Sequence, residues 1–378
     1  MEQVRAVVIG FGGMGSQYAE LIRDGKIAGM TLAGICCRNA PGQAVIRAEY
    51  PGVAVYRDMD DTFAHEKEFD AVIIVTPHAT HVEIGKRAFA AGKHVLCDKP
   101  AGVSVKEVSG LLEANRNAGT SFAMMFNCRV APSFARAKEI VNSGRLGTIT
   151  RAVWVCNNWF RTTCYHKSAP WRSSWAGEHG GLLINQCQHY LDLWQWILGM
   201  PDRLDADIDF GKYNDFDVDD SVDIRFLYEK GLRGSFLSAS GENPGVNRFE
   251  IWGTEGMLSI EGNEKLTLRV NEMETTRFMK ENTKIYGTLP FTTEEMVFQQ
   301  EDNAYRLLLQ NFADHLLHGV PLIAPGEEGL KSVELANASY LSAWTGRKVA
   351  LPIDMDVYER LLRIKAGELL DTNVQDVL

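Results

Sequence analysis

The sequence is short of cysteine, of positive charge and of long apolar runs, and each shortage excludes something. Seven cysteines, an odd number, are scattered through 378 residues with no C-x-x-C spacing. That pattern fits reduced thiols in a cytoplasm better than a disulfide framework or structural zinc. The adjacent Cys36 and Cys37 read as small apolar residues of a strand. Lys and Arg total 39 against 49 Asp and Glu, a formal net charge of −10. Nucleic acid and anionic membranes select basic surfaces, so neither is expected as a partner. No apolar run approaches the roughly 20 residues of a membrane span. The chain opens on a strand-like run rather than a charged leader, apolar stretch and cleavage site, so no secretory signal is expected. The nine histidines form no H-x-x-x-H or H-E-x-x-H array, and no metal is expected. His315 and His318, three apart on a helical stretch, read as an exposed face. Internal repeats and low-complexity segments are absent.

What is present is ordinary globular material: 45% hydrophobic and 23% charged residues. At this length one core is too few, and two domains are expected, over 1–123 and 124–378. In the first, strand-like runs at 4–9, 31–36, 71–75 and 94–96 alternate with helical stretches at 16–24, 42–49, 79–91 and 104–118. Such alternation means an α/β, doubly wound parallel sheet whose ligand crevice lies at the carboxyl ends of the strands. The second stretch changes character. A helix over 131–143 and a β-rich run over 148–156 precede period-two strands. Val222, Ile224, Phe226 and Tyr228 alternate, turn at Glu229-Lys230-Gly231, and return over 232–240 as a hairpin. A second pair flanks Gly253-Thr254-Glu255-Gly256. An α+β domain with a large, mostly antiparallel open sheet follows, with one free face suited to a dimer surface. Helices over 303–317 and 327–345 are expected to return and pack on the first domain. The polar residues after Ala366 are expected to be loosely held.

The densest signal is Gly10-Phe11-Gly12-Gly13-Met14-Gly15, a G-x-G-x-x-G between a strand and a helix. The first glycine permits the turn and the second lets backbone approach a pyrophosphate. The third lets helix and strand pack closely, so that the helix N-terminus faces the phosphates. A glycine turn that binds nothing is the plainer alternative. Three further features fall at strand ends or on a helix. Thr76-Pro77-His78 ends one strand, with His81 opening the next helix; Pro stops the ladder and presents Thr76 to a cofactor, or simply makes a turn. Asp98-Lys99-Pro100 ends another. An ammonium partly desolvated beside a nicotinamide cation has a lowered pKa and can take a proton from a hydroxyl, whereas alone it reads as a surface lysine. Gly180-Gly181 and the Gly199/Pro201 stop frame a helix on which Asn185, His189 and Asp192 share one face. Polar neighbours on that face favour a functional histidine over a structural one.

Together and in this order, G-x-G-x-x-G, T-P-x-x-x-x-H at 76–81, x-K-P at 98–100 and G-G-x-x-x-N-x-x-x-H-x-x-D at 180–192 resemble the glucose–fructose oxidoreductase/inositol dehydrogenase/rhizopine-catabolism (Gfo/Idh/MocA) family. Phe126-Asn127-x-Arg129-x-x-Pro132, Gly144-Arg145-Leu146-Gly147, Trp171-Arg172 and Gly253-Thr254-x-Gly256 agree. The resemblance covers nearly the whole chain. It implies an N-terminal Rossmann domain and a C-terminal domain with an open sheet used for dimers or tetramers. It also implies NAD or NADP, and hydride transfer at a hydroxyl-bearing carbon of a sugar, cyclitol or glycoside. The cofactor would lie on Gly10–Gly15, Cys37, Arg38, Thr76–His78, His81, Asp98–Pro100 and Asn127. Substrate would meet Lys99, Arg129, Trp171, Arg172, Asn185 and His189, with Trp159, Tyr165, His166 and Trp175 either stacking on a sugar ring or packing in the core.

The family's lysine maps to Lys99 and its helix histidine to His189. Where the family usually has Asp this chain has Asn185, which accepts no proton but still hydrogen-bonds a hydroxyl. Lys99 is then the favoured base, with His189 orienting the hydroxyl or sharing its proton. At the end of the second strand, Cys37 stands where an acid would bind the adenosine ribose, and Arg38 follows. That pair leans toward a 2′-phosphate while the family leans toward NAD, and the choice stays open. A second reaction class also stays open: a glycosidase that retains NAD and acts by transient oxidation and elimination. A non-enzymatic cofactor sensor is disfavoured by Lys99 and His189.

Overall fold

The computed structural model describes residues 2–299 and 302–369. The chain divides into two compact units, one of residues 1–130 with 302–333 and the other of 131–301 with 334–378.

The first unit is built on six strands: β1 (Val4–Ile9), β2 (Met30–Cys36), β3 (Ala54–Tyr56), β4 (Ala71–Ile74), β5 (His94–Cys97) and β6 (Phe122–Met124). They pair in the order β3-β2-β1-β4-β5-β6, all parallel. Strand residues alternate between two apolar layers: Val7, Ile9, Val72, Ile74 and Val95 face one, Ala6, Val8, Ile35, Ile73 and Leu96 the other. Both faces are therefore covered, which is why these strands read as continuous apolar runs. Each fully buried Val, Leu or Ile adds about 1.5–3 kcal/mol. Asn39 and Ser104 cap the helices Ala40–Glu49 and Val105–Ala118 through bonds to Gly42 N and Glu107 N. The helix Ala304–His318, capped by Asn303, buries Leu308, Leu309 and Phe312 in this unit. His315 is not an idle exposed side chain: its ring nitrogens meet Val320 O (2.8 Å) and Ser121 Oγ (3.0 Å). A boundary at 123/124 would pass through β6; the unit runs on to Val130.

The second unit carries β7 (Ile149–Cys156), β8 (Arg203–Phe210), β9 (Asp219–Leu227), β10 (Arg233–Ala239), β11 (Asn247–Gly253), β12 (Gly256–Glu261), β13 (Lys265–Asn271), β14 (Phe291–Val297) and β15 (Val349–Ala350). Their order is β14-β13-β12-β11-β7-β10-β9-β8-β15, antiparallel except for the parallel pair β7–β10. The β9–β10 hairpin sets Ile224 opposite Phe236. One face is an aromatic core in which Trp154 stacks on Phe249 at 4.2 Å. The helices Pro132–Asn142 and Gln188–Leu198 pack on each other, and the first also meets β12 and β13. At the other end of the sheet Phe291 and Val297 are exposed. β8 and β13 do alternate, with Leu204, Ala206 and Ile208 and with Leu266, Leu268 and Val270; like the non-alternating β14, they lie outside the hairpins read from the sequence.

Gly180 and Gly181 do not open a helix directly. Residues 181–187 form turns, and the helix starts at Gln188. Asn185 N bonds Gly181 O with α-like spacing, but Cys187 N reaches back to Leu182 O. Asn185 thus precedes the helix of His189 and Asp192, and the shared-face reading holds only for the last two. The polar tail beyond Leu369 lies outside the described residues. Among the described residues no helix is long and apolar enough to cross a membrane.

Candidate active site

In the first unit every motif stands at the carboxyl edge of the parallel sheet. Gly10 follows β1 with φ +105°, and a Cβ there would meet Val75 O at 2.5 Å. A Cβ on Gly15 would meet Gly10 O at 2.0 Å, so helix and strand touch there through glycine alone. Gly12 and Gly13 face open space. The helix Gly13–Arg23 starts at Gly12 with no side-chain cap. The first N–H groups of an uncapped helix lack intrahelical partners and form an anion site. These residues fit a dinucleotide's pyrophosphate. Asn127, after β6, adds a buried Oδ1 with no hydrogen-bond partner among the described residues.

The loops after β4 and β5 are tied together. His81, 1% exposed, sets Nε2 at 2.7 Å from Thr76 O and Nδ1 at 2.7 Å from Pro100 O. Burial lowers its pKa, and the two carbonyls pull the other way. Thr76 Oγ1 accepts from Thr80 Oγ1 (2.7 Å). His78 is buried in the short turn after Pro77. Asp98 holds the next residue: its Oδ1 accepts Lys99 N–H at 2.7 Å, and its Oδ2 accepts Tyr18 O–H at 3.1 Å. The Lys99 backbone is thereby fixed at the end of β5.

Two expected residues are placed elsewhere. The Cys37 side chain is 4% exposed and packs inward against Gly42, so its thiol does not stand in for a ribose-binding acid. Arg38 is exposed beside it. Arg129 is buried, bonded to Ile323 O (3.2 Å) and paired with Glu328 (3.0 Å), so its guanidinium fastens the returning segment of its own unit.

In the second unit a polar network gathers around the turns before the helix Gln188–Leu198. Asp219, at the start of β9, is buried; it accepts Gly181 N–H (2.6 Å), Leu183 N–H (2.7 Å) and Tyr340 O–H (2.6 Å). Burial raises its pKa. This carboxyl fixes the turn that carries Asn185. Glu178, 1% exposed, accepts Asn185 Nδ2 (2.6 Å) and Ser173 N–H (2.6 Å), with Arg172 Nη1 at 3.6 Å. Arg172 lies against the rings of Tyr165 and Trp171, at 4.4 and 4.5 Å from their centroids. Tyr165 Oη has three donors within reach, Arg172 (2.7 Å), Gln186 (3.0 Å) and Asn185 (3.3 Å), enough to fill both of its lone pairs. That leaves its own proton as what the hydroxyl offers outward. A cavity of about 10 Å³, room for one water, is lined by Tyr165, His166, Glu178, Asn185 and Gln186. Among the described residues only Ser173 (φ 56°) and His179 (φ 61°) are non-glycines with positive φ, and they bracket Glu178. Such conformations cost about 1–3 kcal/mol each and gather at functional sites.

His189 stands in the first turn of the helix Gln188–Leu198, half-buried. Trp159 packs on Tyr190 at 5.1 Å, and His166 meets Ser173 Oγ at 2.7 Å. Trp175 belongs to the core: its Nε1 donates to Asp217 O, and its ring packs on Tyr340 and Trp344. Glu178 and Asp219 escape a sequence reading. The available signal for the first was a lone carboxylate two residues before Gly180-Gly181, in a stretch short of acids.

A parallel sheet with a glycine-lined, uncapped helix start defines a dinucleotide-binding architecture. Residues 4–126 match the oxidoreductase family with an NAD-binding Rossmann fold, and residues 134–259 match the GFO/IDH/MocA C-terminal domain. The chain belongs to the Gfo/Idh/MocA family. Among its relatives, scyllo-inositol 2-dehydrogenase (NAD(+)) of Bacillus subtilis is 25% identical over 94% of this chain and 97% of its own. Inositol 2-dehydrogenase of Rhizobium meliloti is 22% identical over 77% and 83%. The WlbA dehydrogenase of Bordetella pertussis, solved with NADH and UDP-GlcNAcA, has a TM-score of 0.77 at 22% identity, covering 93% of this chain and 100% of its own.

Proposed function

We propose that this protein is an NAD-dependent dehydrogenase acting on a ring hydroxyl of a sugar, glycoside or cyclitol, with Lys99 as base and His189 assisting. One observation carries the reading: the same sheet edge holds an uncapped, glycine-lined helix start and, two strands away, a lysine whose backbone is fixed by Asp98. When bound, NAD supplies the hydride acceptor. Lys99 takes the hydroxyl proton, His189 orients the hydroxyl, and Asn185 bonds a substrate hydroxyl. Trp171 and Arg172 hold the ring, with Arg172 steadied by Tyr165 and Glu178. Relatives named for inositol oxidation support the substrate class. Exposed Arg38 is the residue on which discrimination at the ribose 2′-position turns. The open sheet, with exposed Phe291 and Val297, is the surface we assign to self-association, and seven cysteines outside disulfides accord with a cytoplasmic setting.

The test is a screen of inositols, sugars and glycosides with NAD and NADP, read by absorbance of the reduced cofactor. Reduction with a polyol is expected. Release of a free sugar without net reduction would replace this reading with the elimination reaction. Sedimentation of the purified protein checks the self-association.

A further inference from the structure

Glu178 is an almost fully buried carboxylate to which the dehydrogenase reading gives only the steadying of Arg172. Its oxygens accept from Asn185 Nδ2 and Ser173 N–H, each at 2.6 Å, and the cationic Arg172 Nη1 stands at 3.6 Å. An ionised carboxylate only accepts, so the Asn185 amide has one permitted orientation, nitrogen toward Glu178. The second hydrogen of that nitrogen points to Tyr165 Oη at 3.3 Å. With both hydrogens of that nitrogen so placed, Oδ1 is the accepting side of Asn185. The backbone on either side of Glu178 is held in the left-handed region at Ser173 and His179.

We propose that Glu178 is a positioning residue that fixes Asn185 as a hydrogen-bond acceptor for a substrate hydroxyl, so that residues 178 and 185 act as one charge-and-polarity unit. The proposal rests on the dehydrogenase reading. It has a specific consequence: a carboxylate at 185 is incompatible with an ionised Glu178, and the two residues must change together. In N185D two carboxylates would meet across the present 2.6 Å contact and have to share a proton. In E178Q the carbonyl oxygen keeps Ser173 N–H and the new amide nitrogen faces residue 185, where Asn185 either meets it donor to donor or turns over and loses its outward acceptor. In E178Q/N185D the two 2.6 Å contacts are again satisfied: the introduced amide accepts Ser173 N–H through its oxygen and donates through its nitrogen to the introduced carboxylate.

The experiment is a double-mutant cycle on the full chain, using the best polyol from the screen, with kcat, KM, the pH profile of kcat/KM and the melting temperature of all four proteins. N185D is expected to lose more than about 10-fold in kcat/KM at pH 8 and to recover toward acid pH, where the shared proton is retained. E178Q is expected to lose a similar factor without that pH dependence. The double variant is expected to recover at least about fivefold in kcat/KM over either single variant, without the acid-side recovery of N185D. Additive losses in the double variant overturn the proposal. So does recovery of melting temperature without recovery of kcat/KM, which would make the pair structural only. If either single variant does not fold, the double variant decides alone: folded and active supports the pairing, and unfolded or inactive overturns it. A wild type that oxidises no polyol sinks the dehydrogenase reading itself, and this inference with it, before any variant is made.

Discussion

Around Gly10–Gly15 the working groups are backbone amides, and around Glu178–Asn185 they are side chains. In the first unit, glycine clears space: a Cβ at Gly15 would lie 2.0 Å from Gly10 O. In the second, a buried carboxylate holds an amide, an arginine stacks on two rings, and another carboxylate suspends the turn that carries the amide. A phosphate is the same in every dinucleotide and is met by groups every residue owns. A substrate hydroxyl has a position and polarity of its own and needs particular side chains to meet it. Changes in the first region should therefore act sterically, and changes in the second through charge and hydrogen bonding.

Lys99→Ala puts the largest effect where a side chain intrudes into the backbone-built region. It should lower kcat by about 10²–10⁴-fold, the size of a lost general base, and leave NAD affinity within about threefold. Steady-state kinetics and cofactor titration check this, and near-normal turnover would remove Lys99 from the role. Asp219→Ala should be the largest stability change in the second region, about 3 kcal/mol, because three buried donors lose their acceptor. Denaturant unfolding measures it; a loss below about 0.5 kcal/mol would mean that the turn is held by other means. Gly15→Ala should cost about 1–3 kcal/mol as helix and strand are pushed apart, with weakened NAD binding by titration. An unchanged NAD affinity would contradict the steric account of the cradle. Arg38→Ala, at an exposed position, should change stability by no more than about 0.5 kcal/mol. It should alter only the NADP-to-NAD ratio of kcat/KM, and an unaltered ratio would leave the 2′-position to other residues.

What was readable in advance follows the same division. The Rossmann half was legible because its signals are local. Apolar runs mark strands buried on both faces, and G-x-G-x-x-G marks the turn between the first strand and its helix. The antiparallel hairpin at Glu229-Lys230-Gly231 was legible for the same reason. The turn at 181–187 was not: the i, i+4 spacing of Asn185 and His189 suits a helix, but the contacts of Asp219 with Gly181 and Leu183 draw that backbone off helical geometry. Nor was the inward turn of Cys37, which depends on the space over Gly42, or the burial of Arg129 by a carbonyl and a carboxylate almost 200 residues away.

The amino-acid sequence by itself determined the α/β alternation, the glycine cradle, the x-K-P strand end and the family, because each is a short-range pattern that any fold containing it must honour. Only the tertiary structure decided that Asn185 precedes its helix, that Trp175 and Arg129 serve packing, and that Glu178 and Asp219 organise the polar half. Those outcomes depend on which distant groups share a low-dielectric interior, where an unpaired donor or charge is costly and each must find its partner.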